Sequence, residues 1–167
     1  MASALIWGNL LGVAAYVVIL ITGFAVSHGS NPVQNHTAAA FVASMLVLLP
    51  PSMTMFYFIG TGKQLKEEIA RRKLSADYVR EIASFKRRTS GIITGSMLLY
   101  VISYLSGGAA DTGKLLPAAA SPWIHLGLSV VTLFALGISA VRQISAIGDN
   151  VRLILRVADD STSHETT

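Results

Sequence analysis

Two imidazoles are the side chains of this sequence best placed to do chemistry. His36 opens one long apolar stretch, and His125 lies just inside the start of another. A neutral imidazole nitrogen is a strong ligand for iron. Two of them, projecting from opposite helices, can hold a haem from both faces, with the potential set by the ligands and by burial. Haem b on His36 and His125, or another metal ion on the same pair, is therefore one chemistry the residues offer. A macrocycle needs room, and Gly23, Ala38, Ala39, Ala40, Gly107, Gly108 and Gly127 are small residues expected near that layer. His28, in a loop, is a spare ligand. The plainer reading makes both histidines interface residues with one nitrogen in water. Zinc fits poorly, because its sites usually take three or four protein ligands. On that side only Asp111 offers a carboxylate, and only Lys114 could neutralise haem propionates.

Other chemistries lack their residues. With no cysteine there is no disulfide, thiolate zinc site, iron–sulfur cluster or cysteine nucleophile. Ser103 has no acidic partner expected at its depth, so no Ser/His/Asp arrangement forms. Gly60-Thr61-Gly62-Lys63 lacks the upstream strand and the spacing of a phosphate-binding loop.

The histidines must be positioned by elements that live in hydrocarbon. Of 167 residues, 52% are hydrophobic and 13% charged, where soluble domains carry about 25% charged residues. The mean hydropathy is +0.57. Four apolar stretches, at about 4–26, 37–59, 91–109 and 123–141, contain no Asp, Glu, Lys or Arg. Each is near the ~20 residues a helix needs to cross a bilayer. Period-two alternation is absent, which excludes a membrane β-barrel. The expected fold is an all-α integral membrane protein: one domain over 1–158, an up-down bundle of four transmembrane helices, with no strong internal repeat. Helices two and four lie diagonally in such a bundle, which puts His36 and His125 at one depth on opposite sides. Ala25-Val26-Ser27 resembles a signal cleavage site. No basic residue precedes the run, however, and the run is longer than a signal core, so it reads as a retained span.

Charge sets the orientation. Nine Lys and Arg residues lie between Lys63 and Arg88, and Arg142, Arg152 and Arg156 follow the fourth span. By the positive-inside rule both termini and the 61–90 connection are cytoplasmic. Without a presequence, the expected setting is a bacterial inner membrane. The isoelectric point near 9.6 follows from this topology. It calls for no nucleic acid, and the basic face suits anionic lipid.

The cytoplasmic segments read as helices: a hairpin over 63–88 and an extension over about 142–158. Glu67–Arg71 and Glu68–Arg72 are spaced as i,i+4 pairs. Leu65 and Ile69 share a face, Ser75 can cap the second arm, and Val79, Ile82 and Phe85 recur at threefold spacing. In the tail, Ile144, Ile147, Val151, Ile154 and Ala158 mark a bundle seam. Residues 159–167 read as a disordered polar tail. The apolar faces either pack on one another or dock a partner.

Within the spans, Pro50-Pro51 predicts a kink, since each proline removes a backbone donor. Ser52 and Thr54 are candidates to re-satisfy the freed carbonyls. Gly91 and Gly95 read as a small-xxx-small contact. Met53 to Phe58 and Trp123 suit the two membrane interfaces. Spans without ionisable groups argue against a proton pump, a charged-substrate carrier or a voltage sensor. The expected function is a non-catalytic anchor or accessory subunit of a larger membrane assembly, with other membrane proteins as partners and electron transfer or other energy conversion as the setting. The rival is a haem b electron-transfer subunit on His36 and His125, with quinone near the outer surface. A third reading is a small channel or carrier for a neutral solute.

Overall fold

In hydrocarbon a backbone must satisfy its own hydrogen bonds, which an uninterrupted helix does. The four apolar stretches accordingly form four helices long and apolar enough to span a bilayer, and the chain is an all-α integral membrane protein. A computed structural model describes residues 1–112 and 121–165; Lys114 and residues 166–167 fall outside them. The helices are α1 (Ala2–Ser27), α2 (Val33–Arg71), α3 (Asp77–Thr112) and α4 (Ser121–Glu165). At 1.5 Å per residue, α1 is about 40 Å long. The others run on well past the membrane at the basic end. The two ends are called here the histidine end and the basic end.

Two tight connections join α1 to α2 and α2 to α3. After α1, Gly29 takes a left-handed φ of 69°, and its N–H reaches the Val26 carbonyl at 2.9 Å. Pro32, fixed near φ −62°, then opens α2. After α2, Lys73 adopts φ 56°, and the Leu74 N–H bonds the Ile69 carbonyl at 3.0 Å, a Schellman-type stop without its usual glycine. Ser75 caps α3 as expected, accepting the Asp77 N–H at 3.2 Å.

The helices pack as two antiparallel hairpins, α1 on α2 and α3 on α4. α1 also touches α4, α3 touches α2, and α2 meets α4 across one diagonal. Across the other diagonal Tyr16 and Tyr100 meet edge to face, with centroids 5.7 Å apart.

This arrangement carries an internal repeat that residue identity hides. At one constant offset the buried residues of α1 (Leu5, Asn9, Gly12, Tyr16) map onto buried Thr89, Ile93, Ser96 and Tyr100 of α3. At a second offset Ala40, Ala43, Val47, Pro51, Thr54, Tyr57 and Phe58 of α2 map onto buried Ser129, Thr132, Leu136, Ala140, Gln143, Ala146 and Ile147 of α4. Equivalent residues meet on the dyad itself: Tyr16 with Tyr100, and Thr61 with Asn150, whose amide donates to the threonine hydroxyl at 3.1 Å. The expectation of no strong repeat is corrected: the spans are one helical hairpin used twice about an axis along the membrane normal.

At the basic end three helices enclose a core of their own. Leu65, Ile69, Ile82, Phe85, Ile147, Leu153 and Val157 are buried together, with Val79 and Ile154 packed against them. The amphipathic faces are thus covered by one another. The α4 seam is turned by about one residue from the expected one: Ala146, Ile147, Asn150, Leu153 and Val157 face in, and Ala158 is exposed. Asn150 draws the helix round, since Thr61 offers it a partner. The α4 helix also continues to Glu165, where a disordered tail is expected from 159. Of the two expected ion pairs Glu68–Arg72 forms, while the Glu67–Arg71 pair is replaced. Glu68 takes both Arg71, at 2.6 Å, and Arg72, while Glu67 faces Lys63 at 3.9 Å.

Tyr78 ties α3 to the far end of α4 by donating to the Asp160 carboxylate. That hydrogen bond is the main reason its phenol is held above the usual value near 10. A raised phenol pKa stabilises the fold fully below about pH 10, and the contribution is lost as pH rises through the folded value. Tyr78→Phe is therefore expected to melt below the parent protein at pH 8. The gap should narrow as the pH rises past about 10, followed by thermal unfolding in detergent.

Candidate histidine site and polar interior

The histidine end repeats one local device in both hairpins. Thr22 of α1 turns its hydroxyl back to the Ile19 carbonyl at 2.9 Å, and the same oxygen bonds His36 Nδ1 at 3.0 Å. Ser106 of α3 does likewise, donating to the Ser103 carbonyl at 2.7 Å and bonding His125 Nδ1 at 2.9 Å. Each hydroxyl thus holds its imidazole through Nδ1, and a partner on one ring nitrogen is also what orients metal-binding histidines.

A glycine follows each hydroxyl residue and lies against the ring. A Cβ on Gly23 would come within 3.0 Å of His36 Cε1, and one on Gly107 within 2.9 Å of His125 Cε1. Thr22-Gly23 with His36 and Ser106-Gly107 with His125 are thus equivalents under the repeat. The structure seats one histidine in each hairpin, both half-buried, His36 toward α1 and His125 toward α3. Gly108 and Gly127 have open space where a Cβ would stand. The next layer inward is filled: Tyr16 bonds Ser103 and the Ser129 carbonyl, each at 3.2 Å. His28 is exposed, stacked on Phe24 at 4.9 Å and bonded to its carbonyl, apart from the other two. Asp111 lies in the last turn of α3.

Deeper in, small and polar residues share the bundle core with Val47, Ile93 and Leu136. Asn9, Thr54, Ser96, Thr132, Ser139 and Gln143 are all buried. Asn9 donates to the Leu5 carbonyl at 2.9 Å and to Thr54 at 3.3 Å. Ser96 donates to Ser139 at 2.9 Å, and Gln143 donates to the same oxygen at 3.1 Å. These bonds join α1 to α2 and α3 to α4. The Gln143 Oε1 atom has no partner. It lines a cavity of about 10 Å³ beside Asn9, Gly12 and Pro51, about the space one water needs.

The prolines bear on the same region. α2 passes through Pro50 and Pro51 as one helix. Pro50 and Pro51 cannot donate to the Leu46 and Val47 carbonyls. Ser52 and Thr54 were expected to repair this, yet they bond the carbonyls of Leu48 and Pro50, at 2.8 and 2.9 Å. A side chain reaches back to the carbonyl four residues earlier, which is the wrong one here. The Leu46 oxygen instead faces Gly12, where a Cβ would stand only 2.5 Å away. Gly8 lies on Pro50 in the same manner, at 3.1 Å. Gly8-xxx-Gly12 is therefore the working small-xxx-small contact, a pattern visible in the sequence and overlooked there. Gly91 and Gly95 have nothing within 4 Å of a Cβ among the described residues.

Comparison with known proteins gives no family description, no curated relative and no solved structure that matches this chain.

Proposed function

We propose that the chain is a non-catalytic integral membrane subunit that anchors or organises a larger membrane assembly, an electron-transfer or other energy-converting one. Its setting is a bacterial inner membrane with both termini cytoplasmic. The observation that carries this reading is the use made of polar groups inside the bundle. Asn9 with Thr54, Tyr16 with Ser103, Ser96 with Ser139 and Asn150 with Thr61 bond helix to helix. Such bonds hold a scaffold together. The basic end adds a rigid three-helix platform whose exposed Lys63, Lys66, Arg80, Lys86 and Arg87 suit an acidic partner subunit and anionic lipid. The test is extraction in mild detergent with mass measurement of the intact particle. A complex of fixed stoichiometry with other membrane proteins is expected; a single chain alone, in every mild detergent, overturns the reading.

The second reading is a haem b electron-transfer subunit, with quinone as a partner, and one observation favours it. Both hairpins hold a histidine by Nδ1 on a hydroxyl, at equivalent positions. The donor set suits haem iron. His36 and His125 would hold it, with Thr22 and Ser106 orienting the rings, and a bound haem would supply one-electron transfer. A reduced-minus-oxidised spectrum of protein expressed with haem supplied should show a b-type band. His36→Ala and His125→Ala should each abolish it, and His164→Ala should not. No band in the parent protein removes this reading and leaves the first standing.

A further inference from the structure

Beside α1 an open groove of about 440 Å³ runs along the lipid-facing side of α4, lined by Leu133, Phe134, Gly137, Val141 and Arg142 with Val13 of α1. A Cβ on Gly137 would meet nothing within 4 Å, so the glycine holds the groove open where any side chain would project into it. The repeat supplies an internal control. At the equivalent positions of α2, packed beside α3, stand Leu48 for Gly137 and Met53 for Arg142. That side carries bulk where this side carries space, and a neutral thioether where this side carries a cation.

Arg142, like Arg87 and Arg88, differs from the other arginines of the basic end. Arg71, Arg72, Arg80, Arg152 and Arg156 each pair with a carboxylate. Arg142 is exposed and has no ion pair among the described residues. It stands where the fourth apolar stretch ends, at the depth of lipid phosphates. A guanidinium fork matches a phosphate bidentately. From Leu133 to Arg142 the groove follows α4 for about 13 Å, with apolar walls leading to one cation.

We propose that this groove is a binding site for an anionic phospholipid of the leaflet at the basic end. One acyl chain lies along α4 over Gly137, and the phosphate pairs with Arg142. The site is independent of the histidines and of any partner subunit.

The test uses the full chain, purified in detergent and stripped of lipid. Native mass spectrometry then follows titration with dioleoyl phosphatidylglycerol, dioleoyl phosphatidylcholine or soluble glycerol phosphate. Phosphatidylglycerol should bind most tightly and glycerol phosphate not measurably. Arg142→Gln should weaken phosphatidylglycerol about fivefold, to the level of phosphatidylcholine, as loss of one interfacial cation predicts. Gly137→Leu installs the side chain of the equivalent α2 position and should weaken both lipids alike. Arg152→Gln, whose arginine already pairs with Asp149 at 3.3 Å, should leave the preference unchanged. A phosphatidylglycerol preference that survives Arg142→Gln, or binding untouched by Gly137→Leu, overturns the proposal. So does glycerol phosphate binding as tightly as the lipid.

Discussion

Gly12→Ala is expected to destabilise the bundle by about 2–3 kcal/mol, the upper part of the range for overpacking a close-packed interior. The added methyl would stand 2.5 Å from the Leu46 carbonyl oxygen. That obstacle is backbone, so no rotamer change can clear it, and α1 must move off α2. The movement removes what covers a carbonyl that Pro50 has left without its helical donor. For a domain of this size the loss corresponds to a fall in Tm on the order of 5–10 °C. Two neighbours calibrate the experiment. Gly8→Ala meets the Pro50 ring at 3.1 Å, a contact that a small shift relieves, so its cost should be lower. Gly95→Ala meets nothing and should be neutral. Thermal unfolding of the three variants in one detergent should rank them Gly12, Gly8, Gly95. A Gly12→Ala variant that melts with Gly95→Ala would mean that the hairpin is not packed at this distance.

The same contact shows what a sequence reveals and what it conceals. The four spans were legible because hydrocarbon selects composition, and runs free of charge declare themselves without any knowledge of neighbours. The arms of the basic-end hairpin were legible for the same kind of reason: Leu65 with Ile69, and Ile82 with Phe85, repeat at helical spacing. Faces were less legible than spans. In a membrane helix both the lipid side and the core side are apolar or small, so periodicity does not say which is which. Gly91-xxx-Gly95 and Gly8-xxx-Gly12 look alike as text, yet only the second meets a helix. The repeat was hidden because it conserves burial more than residue type. Asn9 corresponds to Ile93 and Thr54 to Gln143, each buried although the residue types differ. Of the candidate site, the sequence offers His36 and His125 by type and by their places at the starts of two spans. Their partners could not be read, because Thr22 and Ser106 come from the preceding helix of each hairpin, with unequal connections between. Once the halves are superposed the motif is plain: a hydroxyl residue and a glycine on one helix, a histidine on the next.

The arms of the basic end decide whether that end is a self-contained platform or a face left open for a partner, and Phe85 is where the question can be put. Its side chain is 2% exposed and packs on Phe58, with ring centroids 5.8 Å apart. Ile82, Ile147 and Leu153 belong to the same cluster. Truncating a buried phenylalanine removes its transfer free energy and leaves a cavity that helices fixed in a membrane cannot easily close. Phe85→Ala should therefore cost about 3–5 kcal/mol. Leu155 supplies the contrast. It lies on the α4 extension beyond the membrane, 64% exposed, and its truncation should change stability by no more than about 0.5 kcal/mol. Hydrogen exchange across 63–88 and 144–158 should rise in Phe85→Ala and remain at the parent level in Leu155→Ala. If the purified single chain tolerates Phe85→Ala as readily as Leu155→Ala, the three extensions are not packed on one another. Their apolar faces would then await another protein. If Leu155→Ala leaves the chain intact but dissociates the assembly, the platform is closed within and recognised from outside, as an anchoring subunit requires.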